Sequence, residues 1–140
     1  MNRDHEGEEL LILFADLDHL KEINDSFGHI EGDFSIRHCA EVLKKVVGAD
    51  GIVGRIGGDE FCVVTLGNLK DGQQIVERIR EESDAFNCTS DKKYYVELSA
   101  GCTSVICRNG LVIADALREA DRALYEVKKL RRNSVKKIRL

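Results

Sequence analysis

Residues Arg55-Ile-Gly-Gly-Asp-Glu-Phe61 set two adjacent glycines between two apolar runs, Gly51–Ile56 and Phe61–Leu66. Apolar runs of strand length broken by a glycine pair predict a β-hairpin, because glycine takes positive φ without steric cost. Such a hairpin puts two carboxylates, Asp59 and Glu60, at or just after its turn. An ordinary solvated turn is acidic too, so this stretch taken alone leaves function open.

A second acidic stretch narrows the reading. Leu10-Leu-Ile-Leu-Phe-Ala-Asp-Leu-Asp18 is an apolar run that ends in two carboxylates one residue apart. The unbroken apolar part suggests a strand buried on both faces. Asp16 and Asp18, at i and i+2, project to the same side of an extended chain. Acid at the end of a buried strand is costly unless it is paired, hydrogen-bonded or bound to a cation. If the hairpin lies beside this strand, Asp16 and Asp59 converge. Converging carboxylates form an oxygen-rich site suited to Mg²⁺, above all where substrate phosphates supply further ligands.

The rest of the chain alternates strands and helices. Leu10–Asp16 is the first predicted strand, followed by a short helical segment around His19–Ser26. Asp33 then opens a helix that carries Ile36, Cys39, Ala40, Leu43, Val46 and Val47 on one face, with Gly48 ending it. After the hairpin, Leu69–Phe86 is helical with Ile75, Ile79 and Phe86 inward, and Tyr94–Ile106 reads as a long strand with Val96, Leu98, Ala100 and Cys102 inward. Ala114–Leu130 is a last helix and Val135–Leu140 a short closing strand. This order predicts an α+β fold with helices packed on a mainly antiparallel sheet. The hairpin between two helices matches a ferredoxin-like βαββαβ core.

Composition excludes several classes. The chain has 140 residues, enough for one domain with its own core. A net charge of −4 argues against general nucleic-acid binding. No apolar run approaches about 18 residues and no signal-peptide pattern is present, so the expectation is a cytoplasmic segment with no membrane span, whose parent protein can still be anchored. The five cysteines form no C-x-x-C pair, which points to reduced and mostly buried thiols.

Four pieces in order now resemble the GGDEF domain, the catalytic module of diguanylate cyclases. They are Phe14-Ala-Asp-Leu-Asp-His-Leu-Lys-Glu-Ile-Asn-Asp25, Gly28-His-Ile-Glu-Gly-Asp33, Arg55 to Phe61, and Ala120-Asp-Arg-Ala-Leu-Tyr-Glu-Val-Lys128 with Arg132-Asn133. The resemblance covers the chain from about Leu10 onward. It implies a palm-like elaboration of the ferredoxin-like core, shared with nucleotide cyclases and polymerases. It also implies condensation of two GTP into cyclic di-GMP and two pyrophosphates by a two-metal mechanism. Mg²⁺ is the implied cofactor, with Mn²⁺ an acceptable substitute.

Residue roles follow from the matching positions. Asp16 and Asp59 would hold the metals, with the backbone carbonyl of Leu17 as a further ligand. Asp59 and Glu60 are the catalytic acidic pair, Glu60 by metal assistance or proton acceptance. Backbone amides of His19, Leu20 and Lys21 would cradle the β- and γ-phosphates. Asn24 and Asp33 would read guanine; read without the resemblance, Asn24 is a turn residue and Asp33 a helix N-cap. An aspartate at position 33 favours GTP over ATP. Lys128 and Arg132 would contact the triphosphate; seven of the twelve residues from Lys128 to Arg139 are basic, and the others read as a solvated helix end.

The departures from the family pattern carry information as well. Leu20 stands where many members have phenylalanine, and Arg131 where a glycine usually precedes Arg-Asn. Gly48 and Gly51 occupy the positions of the inhibitory R-x-x-D pair, so no product inhibition is expected there. Members usually begin with a D-x-L-T-G-L-x-N-R segment and a helix, whereas nine residues precede Leu10. Residues 1–140 therefore read as one truncated domain of a larger signalling protein with an N-terminal sensory or receiver domain. The twofold symmetry of the product makes a second copy of the domain the natural partner. The alternative is a catalytically weak GTP-binding module that controls a partner domain.

Overall fold

The computed structural model describes residues 9–49, 51–106 and 118. The elements run β1 (Glu9–Leu17), α1 (Leu20–Phe27), α2 (His29–Val47), β2 (Ile52–Gly57), β3 (Glu60–Leu66), α3 (Leu69–Thr89) and β4 (Leu98–Ile106). The four strands form one antiparallel sheet in the order β2-β3-β1-β4. This is the α+β, ferredoxin-like arrangement expected, with the first crossover divided into α1 and α2. The predicted last helix, Ala114–Leu130, and closing strand, Val135–Leu140, lie outside the described residues apart from Arg118.

Strand β1 sits at the centre, and its apolar run explains why. Leu11, Leu13, Ala15 and Leu17 join Phe61, Val63, Leu98, Ala100 and Cys102 in a core closed by Cys39, Val42, Leu43 and Val46 of α2 and by Val76 and Ile79 of α3. The alternate residues Leu10, Ile12, Phe14 and Asp16 are buried as well. A strand buried on both faces needs no apolar–polar alternation, and β1 has none. Helix α3 starts with a reciprocal capping box between Asn68 and Asp71. Its Gly72 packs tightly on the sheet: a Cβ there would come within 2.8 Å of Cys102 Sγ and 3.1 Å of Leu11 Cδ1.

Three local expectations are corrected. First, the β2–β3 hairpin forms, but neither Gly57 nor Gly58 is among the positive-φ residues. A register shift between Arg55 and Gly57 turns the chain in place of a left-handed glycine. Second, Asp33 is no N-cap and Asn24 no turn residue. Helix α2 begins at His29 behind Gly28 (φ 94°), which leaves Asp33 inside the helix and Asn24 inside α1. Third, Tyr94–Glu97 is loop, not strand. The side chain of Asn87 on α3 takes both backbone groups of Val96, at 3.0 Å each, where a neighbouring strand would otherwise pair. Of the described cysteines, Cys39 and Cys102 are buried and Cys62 half-buried, but Cys88 is exposed.

A ring cluster fastens α2 to α3. The His38 imidazole lies 4.0 Å from the Phe86 ring centroid and stacks on Phe34 at 6.0 Å. Burial pushes its pKa below the ordinary value, against a smaller upward pull from Glu41 and Glu82. A depressed histidine pKa means that the unfolded chain binds the proton more readily than the folded one. The stability associated with neutral His38 is therefore complete above about pH 6.5 and is lost as the pH falls below it. Urea midpoints measured from about pH 8 down to about pH 5 should fall more steeply for the wild type than for His38→Phe. Parallel slopes would show that His38 does not contribute.

Candidate active site

The hairpin tip is held from inside by an arginine. Strand β2 ends at Gly57, and β3 begins at Glu60. Arg55 Nε donates to the carbonyls of Gly57 at 3.3 Å and Gly58 at 3.1 Å, and its Nη2 donates to Gly58 at 2.8 Å. A Cβ added at Gly57 or Gly58 would meet nothing within 4 Å. Neither backbone conformation nor internal packing therefore calls for glycine at either position. What the pair offers is bare backbone that a ligand can approach closely.

Beside the tip lies the end of β1. In the β1–β3 register Asp16 stands directly opposite Glu60, and in the β1–β4 register opposite Ser99. Residues directly opposite in an antiparallel pair share one face of the sheet. The Leu17 N–H donates to the Asp59 carbonyl at 2.8 Å, fixing the tip to the strand end. The hairpin thus does lie beside β1, but the residue facing Asp16 is Glu60, with Asp59 one step outward in the turn. Asp18 is engaged elsewhere: its N–H donates to the Glu97 carbonyl at 2.9 Å, and its carboxylate accepts from Ser99 Oγ at 2.9 Å.

This pairing has an electrostatic consequence. Like charges directly opposite on a sheet repel, and Asp16 is only 4% exposed. A bound cation would relieve both penalties. Among the described residues no group of three or more His, Cys, Asp or Glu is placed to hold a metal. The register does bring two carboxylate-bearing residues, Asp16 and Glu60, to the strand end at Leu17.

Backbone donors adjoin this strand end. His19 is left-handed (φ 62°, ψ 27°) and leads directly into α1, whose N-terminus receives no side-chain cap. A left-handed residue followed by right-handed ones points successive N–H groups into one concavity, an anion nest. The amides of His19, Leu20 and Lys21 lie along it. The Lys21 side chain runs back to Asp25 at 2.8 Å, so its backbone is the part offered at the nest.

Asn24 and Asp33 lie on the two helices that form the α1–α2 corner. A Cβ on Gly32 would overlap the Asn24 carboxamide, which places that side chain against the backbone just before exposed Asp33. Glycine inside a helix costs about 1 kcal/mol relative to alanine. Gly32 was the signal in the sequence that another group packs there. Lys128 and Arg132 lie outside the described residues. The sequence reasoning did not identify the direct Asp16–Glu60 pairing, the Ser99 bond to Asp18 or the Arg55 tip cap.

Comparison with known proteins bears on the family and the fold. The family model described as "Diguanylate cyclase, GGDEF domain" matches residues 1–134. The probable diguanylate cyclase DgcT of Escherichia coli K12 is 34% identical over 130 residues, covering 89% of this chain and 28% of that protein. Diguanylate cyclase DgcP of the same strain is 37% identical over 128 residues, covering 89% of this chain and 37% of the relative. The chain thus spans well under half the length of these relatives. The active GGEEF domain of a diguanylate cyclase from Vibrio cholerae superposes with a TM-score of 0.82 at 30% identity, over 95% of this chain and 85% of that one. The GGDEF domain of DgcB from Caulobacter crescentus, solved in complex with c-di-GMP, gives 0.81 at 28% identity, over 94% and 78% of the two chains.

The three glycines separate packing from function. Gly57→Ala and Gly58→Ala should each change unfolding free energy by less than about 0.5 kcal/mol. Gly32→Ala displaces the flexible Asn24 carboxamide but gains about 1 kcal/mol of helix propensity, so it should stay within about 1 kcal/mol of the wild type. Denaturant titration checks both, and a large loss at Gly57 or Gly58 would show that the tip needs glycine for the fold itself.

Proposed function

The chain belongs to the GGDEF family, and from that membership we propose that it acts as a diguanylate cyclase, condensing two GTP into cyclic di-GMP with release of two pyrophosphates. The observation that carries this reading is the buried Asp16 set opposite Glu60, with the hairpin tip tied to the same strand end through Leu17 and Asp59. Each of the two steps is attack of a ribose 3′-hydroxyl on the α-phosphorus of the other nucleotide. Charge develops on phosphoryl oxygens, so the chain's main tasks are to position groups and to neutralise charge.

The residues divide that work. Asp16, Asp59 and the Leu17 carbonyl would hold Mg²⁺, or Mn²⁺ in its place. In an antiparallel strand a residue's N–H and C=O leave the same edge, so the Leu17 carbonyl turns toward the tip as its N–H does. Bound Mg²⁺ supplies acidification of the attacking hydroxyl and charge stabilisation on the leaving pyrophosphate. Glu60, opposite Asp16, would assist the metal or take up the hydroxyl proton. The nest at His19, Leu20 and Lys21 binds the β- and γ-phosphates, with Lys128 and Arg132 as further phosphate contacts. The open backbone at Gly57 and Gly58 lets the nucleotide approach. Asp33 accepts from the guanine N1–H and exocyclic amine, and Asn24 offers its amide to the base.

One site holds one GTP, so turnover needs two copies of the domain facing each other about a twofold axis. Product inhibition through the usual R-x-x-D positions is not available to this chain. Gly48 caps α2 at φ 86°, a strained conformation for arginine, and a side chain on Gly51 would overlap Val47.

The test is incubation of the full chain with GTP and Mg²⁺ over a concentration series, with cyclic di-GMP followed by chromatography and mass detection. Product should rise faster than linearly with enzyme, and Asp59→Ala should lower the rate by about 100-fold or more. Added cyclic di-GMP at low micromolar concentration should leave the rate unchanged. GTP binding without product at any concentration would identify a regulatory module instead. Inhibition abolished by substitutions at 48–51 would refute the account of those positions.

A further inference from the structure

The loop from α3 to β4 grips the α1–α2 corner, whose helices carry Asn24 and Asp33. The Tyr94 hydroxyl donates to Glu31 Oε1 at 2.6 Å, and Lys92 Nζ meets the same oxygen at 3.0 Å. Lys92 also lies 4.4 Å from the centre of the Phe34 ring. The Tyr94 ring packs at 5.2 Å against Phe27, the last residue of α1. These contacts bracket the two base-reading residues along the chain. Phe27 lies one turn beyond Asn24, and Glu31 and Phe34 stand on either side of Asp33.

The loop is a firm anchor for such a grip. Asn87 holds both backbone groups of Val96, and the Asp18 N–H ties Glu97 to the end of β1. A cleft of about 380 Å³ remains among Phe27, Glu31, Lys92 and Tyr94; Tyr94 packs on Phe27 and the core, and the polar contacts fix its hydroxyl on Glu31. A 2.6 Å bond to a carboxylate is of the charge-assisted class, shorter and stronger than a neutral one. In keeping with this, the Tyr94 bond, followed by Lys92, holds the Glu31 carboxyl below its usual range. Burial, followed by the same bond, pushes the Tyr94 phenol up to about 12. Glu31 belongs neither to the core nor to the metal and phosphate groups.

We propose that Glu31 and Tyr94, with Lys92, act as a positioning clamp that fixes the α1–α2 corner and so sets how well Asp33 and Asn24 discriminate the base. This rests on the reading of those two residues as guanine contacts. A carboxylate that accepts two bonds from one base edge must be aligned with it. Loosening the corner costs the second bond first, while phosphate binding at the nest continues.

The probes are 3′-deoxy-GTP and 3′-deoxy-ITP with Mg²⁺, which lack the attacking hydroxyl and remain uncondensed. Inosine differs from guanosine only in lacking the exocyclic amine that Asp33 would accept from. Calorimetry on the full chain gives the ratio of the two dissociation constants. Tyr94→Phe and Glu31→Ala should each lower the guanine preference by about threefold or more. Glu31→Gln keeps an acceptor for the Tyr94 hydroxyl and should stay within about twofold of the wild-type ratio. A purely structural role would lower the melting temperature and weaken both nucleotides in parallel, leaving the ratio untouched.

Asp33→Ala separates the two readings. If it collapses the ratio while Tyr94→Phe and Glu31→Ala leave it unchanged, the clamp is refuted and base reading stands. If Asp33→Ala also leaves the ratio unchanged, base reading itself fails and the clamp falls with it. Should Tyr94→Phe not fold, Glu31→Ala, at a half-exposed position, carries the same comparison.

Discussion

The pairing of Asp16 with Glu60 depends on a register that apolar burial enforces. Strand β1 buries Leu11, Leu13, Ala15 and Leu17 against α2 and α3, and β3 buries Phe61 and Val63 on the same face. A slip of one residue would send every one of those side chains to the opposite face. The core therefore fixes the register, and the register sets the two carboxylates opposite one another at the strand end. The bond from the Leu17 N–H to the Asp59 carbonyl is the last rung of that ladder. Hydrophobic burial a few residues away holds the two acidic residues opposite one another.

The remaining parts of the site are arranged around this strand end by backbone geometry. His19 in a left-handed conformation turns the chain from β1 straight into α1, so donor amides begin where the carboxylates stop. Gly28 then redirects the chain into α2, folding Asn24 back against Gly32. The corner is built from two helices and a loop, not from the sheet. It lacks the strand pairing that holds the end of β1, and the Glu31–Tyr94 contact ties it to the α3–β4 loop.

Much of this was legible in the chain itself. The unbroken run Leu10–Leu17 announced a doubly buried strand, and the spacing of Cys39, Leu43 and Val46 announced the inward face of α2. Inferences from local residue preference fared worse. The glycine pair announced a hairpin for the wrong reason, since a bulge and the Arg55 side chain make the turn. Asp33 looked like a helix start because aspartate suits that position, yet the helix had already begun at His29, four residues earlier, behind Gly28. Tyr94–Glu97 has the composition of a strand, but pairing ends at Leu17 and Leu98, and Asn87 occupies the Val96 backbone. In each case a partner remote in sequence decided the outcome.

By itself the sequence determined the order of elements, the buried central strand, the acidic motifs and, through four motifs in series, the family. These are properties of periodicity and local chemistry, which a linear text records directly. Only the tertiary structure decided that Glu60, not Asp59, faces Asp16, that Asn24 needs Gly32 to fit, and that a loop about sixty residues downstream holds the α1–α2 corner. Those outcomes depend on register and on contacts between distant segments. They are set by what the packed core allows, and no stretch of the chain read alone contains them.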